Sequence, residues 1–364
     1  MNYLENRIEK EYYYWIDSIR FLAAFAVVAS HFRGAFFVEY SLLPDFQKGP
    51  ISFLFYSITR IGFEAVLIFF ILSGFLVGGK SLKRLADGTF RIDDYIIDRF
   101  VRIMLPLISA LIFTVPIYYL IGDSLNWIHW FGNLFSLQGI FVPSIIEPLW
   151  SLSYEVWFYI IIGACCYIYM KDSSLKLKYL SYFILFISSL IFLKLKIIYL
   201  IVWIIGVVSF KLIPKKESNW SLFFFGMLSI TLIVLLELSS QSNTSINISL
   251  NRDLLIIIFA FVFSVFIIFL IKHKPQKKWS LRFNNISKKL ADFSYTLYLT
   301  HMLVLNVFEF LEFPKSKLLS IESLSLYFFE LFVALIFAYL IYYFFERNTK
   351  FVKDKIKFII FRNK

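Results

Sequence analysis

Runs of apolar residues long enough to cross a bilayer dominate this chain and leave room for few architectures. They fall near 15–36, 53–78, 104–122, 150–170, 179–194, 197–211, 219–237, 254–271, 291–312 and 323–345. A transmembrane helix needs about 20 apolar residues, and only helices or closed barrels satisfy the backbone inside lipid. The expectation is an all-α integral membrane protein of about ten transmembrane helices. Within it, the pair at 179–211 is short and split only by Lys194 and Lys196. Composition agrees: 59% of the 364 residues are hydrophobic, against about 45–50% in soluble domains even when Gly is counted. The first run is too long for a signal-peptide core and no small-residue cleavage site follows it, so it is expected to remain as an anchor.

Charge orients the bundle. The segments 1–14, 79–102, 171–178, 211–218, 272–290 and 346–364 hold 28 of the 37 Lys and Arg residues, whereas 238–253 has only Arg252. Basic loops face the cytoplasm, which predicts that both termini are cytoplasmic. The net charge of +12 then reads as topology plus attraction to anionic membrane lipid. Spread over six loops, it does not form a nucleic-acid surface. Adjacent Cys165 and Cys166 rarely bridge, and no metal-ligand spacing is present. One integral domain over 1–364 is expected, with a core at about 14–345 and a basic cytoplasmic tail at 346–364.

Several polar residues interrupt the apolar runs, where a charge costs at least about 2.5 kcal/mol at the helix centre. In IDSIRFLAAFAVVASH, Arg20 and His31 are eleven residues apart, which on a helix is about three turns and 16 Å along one face. Asp17 lies on nearly the same face. These residues suit either a functional site or an Asp17–Arg20 pair near the headgroups with His31 bonded to a neighbouring helix. The second run carries Glu64, four residues after Arg60 and so placed for an ion pair, then Ser73-Gly74 and Gly78-Gly79. Small residues there serve either close helix packing or a ligand. Arg99 and Arg102 share a face at the mouth of the third run, a spacing suited to phosphate and equally expected of any positive-inside loop. EPLWSLSYEVWFYI carries Glu155 into the membrane, followed by 15 residues without a charge; Glu155 and Tyr159 share a face. Further on, Tyr295, Tyr298 and His301 recur every third residue. His129 reads as part of an interfacial element and His273 as part of a basic loop.

In this order the segments resemble the membrane-bound acyltransferase type 3 family of multi-pass O-acyltransferases. Arg20 and His31 match its arginine–ten residues–histidine signature, and GFEAVLIFFILSGFL its second-helix pattern, with Glu64 at the acidic position. Arg99, Arg102 and Pro106 are similar to its R-x-x-R-x-x-x-P segment. Trp150, Ser151, Glu155, Phe158 and Tyr159 resemble its L-W-S-L-x-x-E-x-x-F-Y block, and SYTLYLTH its late Y-x-x-Y-L-x-H element. The likeness runs from about 14 to 345, with no motif matched across 171–290.

The resemblance implies transfer of an acyl group, acetyl from acetyl-CoA by default and with no metal, onto a hydroxyl of a surface polysaccharide or lipid-linked glycan. It also implies a bacterial cytoplasmic membrane. Some relatives carry a fused extracytoplasmic hydrolase-like domain; little follows the last span here, so a stand-alone enzyme or a separate extracytoplasmic acyl-handling partner is expected. The implied roles are His31, Glu155 and His301 in catalysis, with Glu155 orienting the His31 imidazole. Arg20, Arg99, Arg102, Ser73 and Gly74 would hold the CoA. Asp17, Glu64, Trp150, Ser151, Tyr159, Tyr295 and Tyr298 would line the substrate path. Direct transfer and an acyl-histidine intermediate both remain open. Two other classes share the polar residues: a glycan or lipid flippase, which no inverted repeat supports, and a non-catalytic acyl-CoA sensor.

Overall fold

The computed structural model describes residues 13–171, 173–239 and 251–361. Residues 1–12 and most of the 238–253 loop, read above as segments on opposite sides of the membrane, lie outside the described residues. Among those described, helices account for the regular structure and no strand forms beyond isolated bridges. The helices are α1 (Tyr14–Phe36), α2 (Pro50–Thr59), α3 (Gly62–Ser73), α4 (Lys80–Ala86), α5 (Ile92–Leu120), α6 (Trp127–Leu134), α7 (Leu149–Tyr169) and α8 (Leu175–Ile191). They continue as α9 (Ile197–Ser209), α10 (Asn219–Ser239), α11 (Arg252–Leu270), α12 (Lys278–Asp292), α13 (Ser294–Phe310), α14 (Ile321–Phe344) and α15 (Thr349–Phe361).

Among the described residues, seven helical stretches are long and apolar enough to cross a membrane: α1, α2–α4, α5, α7, α10, α11 and α14–α15. The expected spans at 179–194, 197–211 and 291–312 are helices too, α8, α9 and α13, of 17, 13 and 17 residues. All three are shorter than the seven. The protein is therefore an all-α, multi-pass membrane protein.

Burial explains the arrangement. Leu67, Ile71, Phe75, Leu107, Phe158, Trp203 and Phe259 are fully or almost fully buried and form one core among α3, α5, α7, α9 and α11. A second core joins α1 to α13 and α14 through Phe32, Leu297, Leu305 and Ala334. Large apolar side chains on α8, α10 and α14 stay exposed, among them Phe183, Phe186, Phe223 and Phe332. A belt of this kind faces lipid tails rather than water. At 13 residues α9 is shorter than the seven, and it is wedged between α3 and α11.

Glycines allow that wedge. A Cβ on Gly74 would stand 2.1 Å from the Trp203 carbonyl oxygen, and one on Gly206 2.3 Å from that of Ile71. Between α3 and α4 the chain widens into a π-helical turn, Gly74–Gly79. A Cβ on Gly78 or Gly79 would meet Val207 or Phe210 within 2.4 Å. The glycines of the second span thus serve close packing against α9.

One end of the bundle is rimmed by cations. The amphipathic α12 lies against α1 there, where Trp15 Nε1 donates to the His273 carbonyl at 2.7 Å. The segment after α14, expected only as a basic tail, forms a 3₁₀ turn (Glu346–Asn348) and α15, which packs along α5. At the opposite end, α6 begins where the Asn126 side chain accepts from the Ile128 and His129 N–H groups. Its exposed Trp127, Ile128 and Phe131 fit the interfacial reading of that element.

Candidate active site

A cavity of about 460 Å³ enters the bundle from the cation-rich end, between α1, α3–α4, α5, α7 and α13. Five cations line it: Arg20, Lys80, Arg84, Arg99 and Arg102. Against them stand the carboxylates of Asp98 and Glu155. Deeper, the lining turns to Phe69, Phe70 and Leu152, and the inner end carries Ser151 and Tyr298. Such a shape suits a ligand that is anionic at one end and less polar at the other.

Contacts from neighbouring helices hold three of these cations. On α1, Arg20 pairs with Asp17 one turn earlier at 3.1 Å, as its spacing predicts. Its Nη2 also donates to the Ala291 carbonyl near the end of α12 at 3.1 Å. Asp292, the last residue of α12, lies in the same electrostatic cluster. Arg99 lies over the Tyr159 ring, 5.6 Å from its centroid, and Arg102 over the Tyr295 ring at 6.0 Å. These stacked positions combine cation–π attraction with limited rotation.

Glu155 sits on the cavity wall at the end of a hydrogen-bond chain. The Trp203 indole donates to Ser73 Oγ at 3.2 Å, and Ser73 donates to the Tyr159 hydroxyl at 3.2 Å. The Tyr159 hydroxyl in turn donates to Glu155. Tyr95 fixes the same turn of α7 by donating to the Tyr159 carbonyl at 2.9 Å. Glu155, Tyr159 and Ser73 are therefore one unit, and it belongs to the cation-lined cavity.

The histidines form a separate group. Nδ1 of His31 is 3.7 Å from Glu147 Oε2, and the His31 and His301 rings lie 5.2 Å apart. The acid beside His31 is thus Glu147, in the turn before α7. The expectation that Glu155 orients the His31 imidazole is not met, because α7 turns Glu155 toward Arg99 and Arg102 instead. His301 is fully buried, with Nδ1 3.1 Å from the Leu297 carbonyl. A carbonyl only accepts, so this nitrogen bears the proton, and Nε2 has no hydrogen-bond partner among the described residues. One turn before His301, Tyr298 links the two groups. Its hydroxyl lies 2.6 Å from Ser151 Oγ and 3.1 Å from the Pro148 carbonyl, and its ring is 6.2 Å from that of His301.

Other candidates lie elsewhere. Trp150 packs against Phe70, Tyr154 and Tyr199 and does not line the cavity. Gly74 turns its face to α9, as above. Glu64 is buried away from the cavity. Arg60, its expected partner, reaches Glu39 at 3.6 Å and Glu237 at 2.6 Å instead. Sequence reading passed over Lys80 and Arg84 as ordinary loop cations, Glu147 as a loop acid and Glu346 as part of a tail. The one signal for Glu147 is its place directly before Pro148 in the motif-bearing block.

An acyltransferase-domain family matches residues 13–343. The peptidoglycan O-acetyltransferase OatA of Listeria monocytogenes is 28% identical over 183 residues, 45% of this chain and 26% of that protein. The chain thus spans about a quarter of that relative's length. No solved structure matches.

Proposed function

Since the chain belongs to the type 3 acyltransferase family, with the match running over residues 13–343, we propose that it moves an acetyl group from acetyl-CoA to a glycan hydroxyl. The acceptor is a surface polysaccharide or lipid-linked glycan at a bacterial cytoplasmic membrane. One observation carries this reading: a five-cation cavity ends at Tyr298, one helical turn from the His31–His301 pair. The relative's name, a peptidoglycan O-acetyltransferase, supports both the acetyl group and the glycan.

In this reading ten helices cross the membrane as one integral domain, with both termini and the cation-rich end in the cytoplasm. Donor CoA enters there. Its phosphates meet Arg20, Lys80, Arg84, Arg99 and Arg102, as charge-assisted bonds favour, and its thioester reaches toward Ser151 and Tyr298. The acceptor approaches the histidines from the other side. With Nδ1 of His31 turned to Glu147, Nε2 is the base that takes the hydroxyl proton. The hydroxyl oxygen then bonds to the thioester carbonyl carbon, the C–S bond breaks, and the CoA thiolate leaves with the proton returned by the imidazolium. The Glu147 carboxylate stabilises that cation, as the acid of a catalytic triad does. Glu155 acts on the donor side, where Tyr159 holds it facing Arg99 and Arg102.

Membranes containing the protein, given radiolabelled acetyl-CoA, are expected to label an alkali-releasable ester on glycan. His31→Ala at unchanged protein level should abolish the label. Glycan translocation without acylation indicates a carrier instead, and donor binding without turnover a sensor.

A further inference from the structure

The segment that follows α14 lies beyond the family match at 13–343, yet its side chains pair with residues that line the cavity. Glu346 is 3% exposed although it stands in the short 3₁₀ turn after the last long helix. One carboxylate oxygen accepts from Thr296 Oγ1 of α13 at 2.6 Å. The other lies 3.5 Å from Arg102 Nη1 of α5. From there α15 runs along α5, where Lys353 pairs with Asp98 and Lys357 with Asp94. Asp98 itself lines the cavity.

We infer that the 346–361 segment completes the donor site: Glu346 positions the Arg102 guanidinium, and Lys353 neutralises Asp98 beside the donor's phosphates. The assignment rests on the donor reading given above. Its physical basis is the arrangement of charge. A carboxylate paired with an arginine limits where its guanidinium can point, as outer partners do at metal and phosphate sites. Thr296 holds the carboxylate on its far side, so Arg102 is tied to two helices beyond its own. Asp98 is a carboxylate in a cavity assigned to an anion, and it would repel that anion. Lys353 cancels the repulsion from outside the cavity wall. Glu346 is thus a positioning residue, and α15 a part of the binding site reached through α5.

The test is labelled CoA binding to the full-length protein in detergent. Glu346→Gln should weaken binding about tenfold through loss of a charge-assisted contact, and Glu346→Asp should recover part of it. Lys353→Gln should weaken binding about threefold, the scale of a partly exposed pair. Lys355→Gln, on an exposed position of the same helix, should leave binding unchanged. Because Glu346 acts through Arg102, adding Glu346→Gln to Arg102→Ala should cost nothing beyond Arg102→Ala alone. If Glu346→Gln does not give a monodisperse protein, Thr296→Val serves in its place, with a smaller loss expected. Wild-type affinity in the Glu346 or Thr296 variant overturns the assignment while leaving the donor reading intact. So does a double variant whose loss is the product of the two single losses. A wild-type protein that takes up no CoA overturns the donor reading and the assignment together.

Discussion

Glu147 Oε2 lies 3.7 Å from Nδ1 of His31, so the acid beside the first-helix histidine comes from the turn before α7 and not from its membrane-embedded Glu155. Two carboxylates eight residues apart thereby serve different sites. One faces the histidines and is largely exposed; the other faces the cation-lined cavity through Tyr159.

Variants of the two acids should separate in kinetics. Glu147→Gln is expected to lower kcat with little change in the KM for acetyl-CoA, since it removes support for a cation formed during transfer. Glu155→Gln should act on the donor side and raise that KM. Steady-state rates at varied donor concentration decide the matter, and equal kinetic signatures for both variants would contradict the division.

His31→Ala should cost at least about 100-fold in transfer, the lower end of general-base contributions. His301→Gln keeps a polar side chain and should cost less. An ester assay in membranes at matched protein level checks both. Retained activity in His31→Ala removes the histidine mechanism.

Arg99→Ala should raise the KM for acetyl-CoA about tenfold, the size of a charge-assisted hydrogen bond near 1.4 kcal/mol. The wild-type KM should also rise with salt, because exposed cation–phosphate attraction is screened within about 10 Å at 0.1 M. A salt-independent KM would argue that the cations do not meet the donor's phosphates.

Gly74→Val and Gly206→Val test the fold apart from the chemistry. Their added atoms would meet Trp203 and Ile71 carbonyls at 2.1 and 2.3 Å, which are backbone atoms with little freedom to move. Overpacking of this kind costs about 1–3 kcal/mol or more. Both variants should lose folded yield and unfold at lower temperature in detergent. Full stability in either would mean that α3 and α9 are less closely apposed than described.

Much of this was legible in the residues. The apolar runs located every long helix among the described residues, and the spacing of Asp17, Arg20 and His31 placed them on one face of α1. Arg99, Arg102, Tyr159, Ser151, Tyr295 and Tyr298 do converge on one cavity. Pairings between helices were not legible. Whether Glu155 or Glu147 reaches His31 depends on the rotation of α7 about its axis, and an apolar helix of this kind carries no strong facial bias to fix that rotation. Glu346 gave no sign because its partners, Thr296 and Arg102, are 50 or more residues away. Gly74 read equally well as a ligand contact or a packing residue, and only the approach of Trp203 distinguishes them.

The hydrogen bond between Ser151 and Tyr298 has a consequence for the cell as well as for the reaction. A cation-lined chamber entering from one face of a bilayer and an exposed acid reaching histidines from the other would together form a leak for ions if they met. Tyr298, bonded to Ser151 and to the Pro148 carbonyl and packed edge-on against Phe69 at 5.7 Å, stands where they would join. An acyl group can be handed past one aromatic side chain, whereas a steady current requires a continuous column of water. In the proposed topology, Tyr298 would therefore also guard the membrane potential.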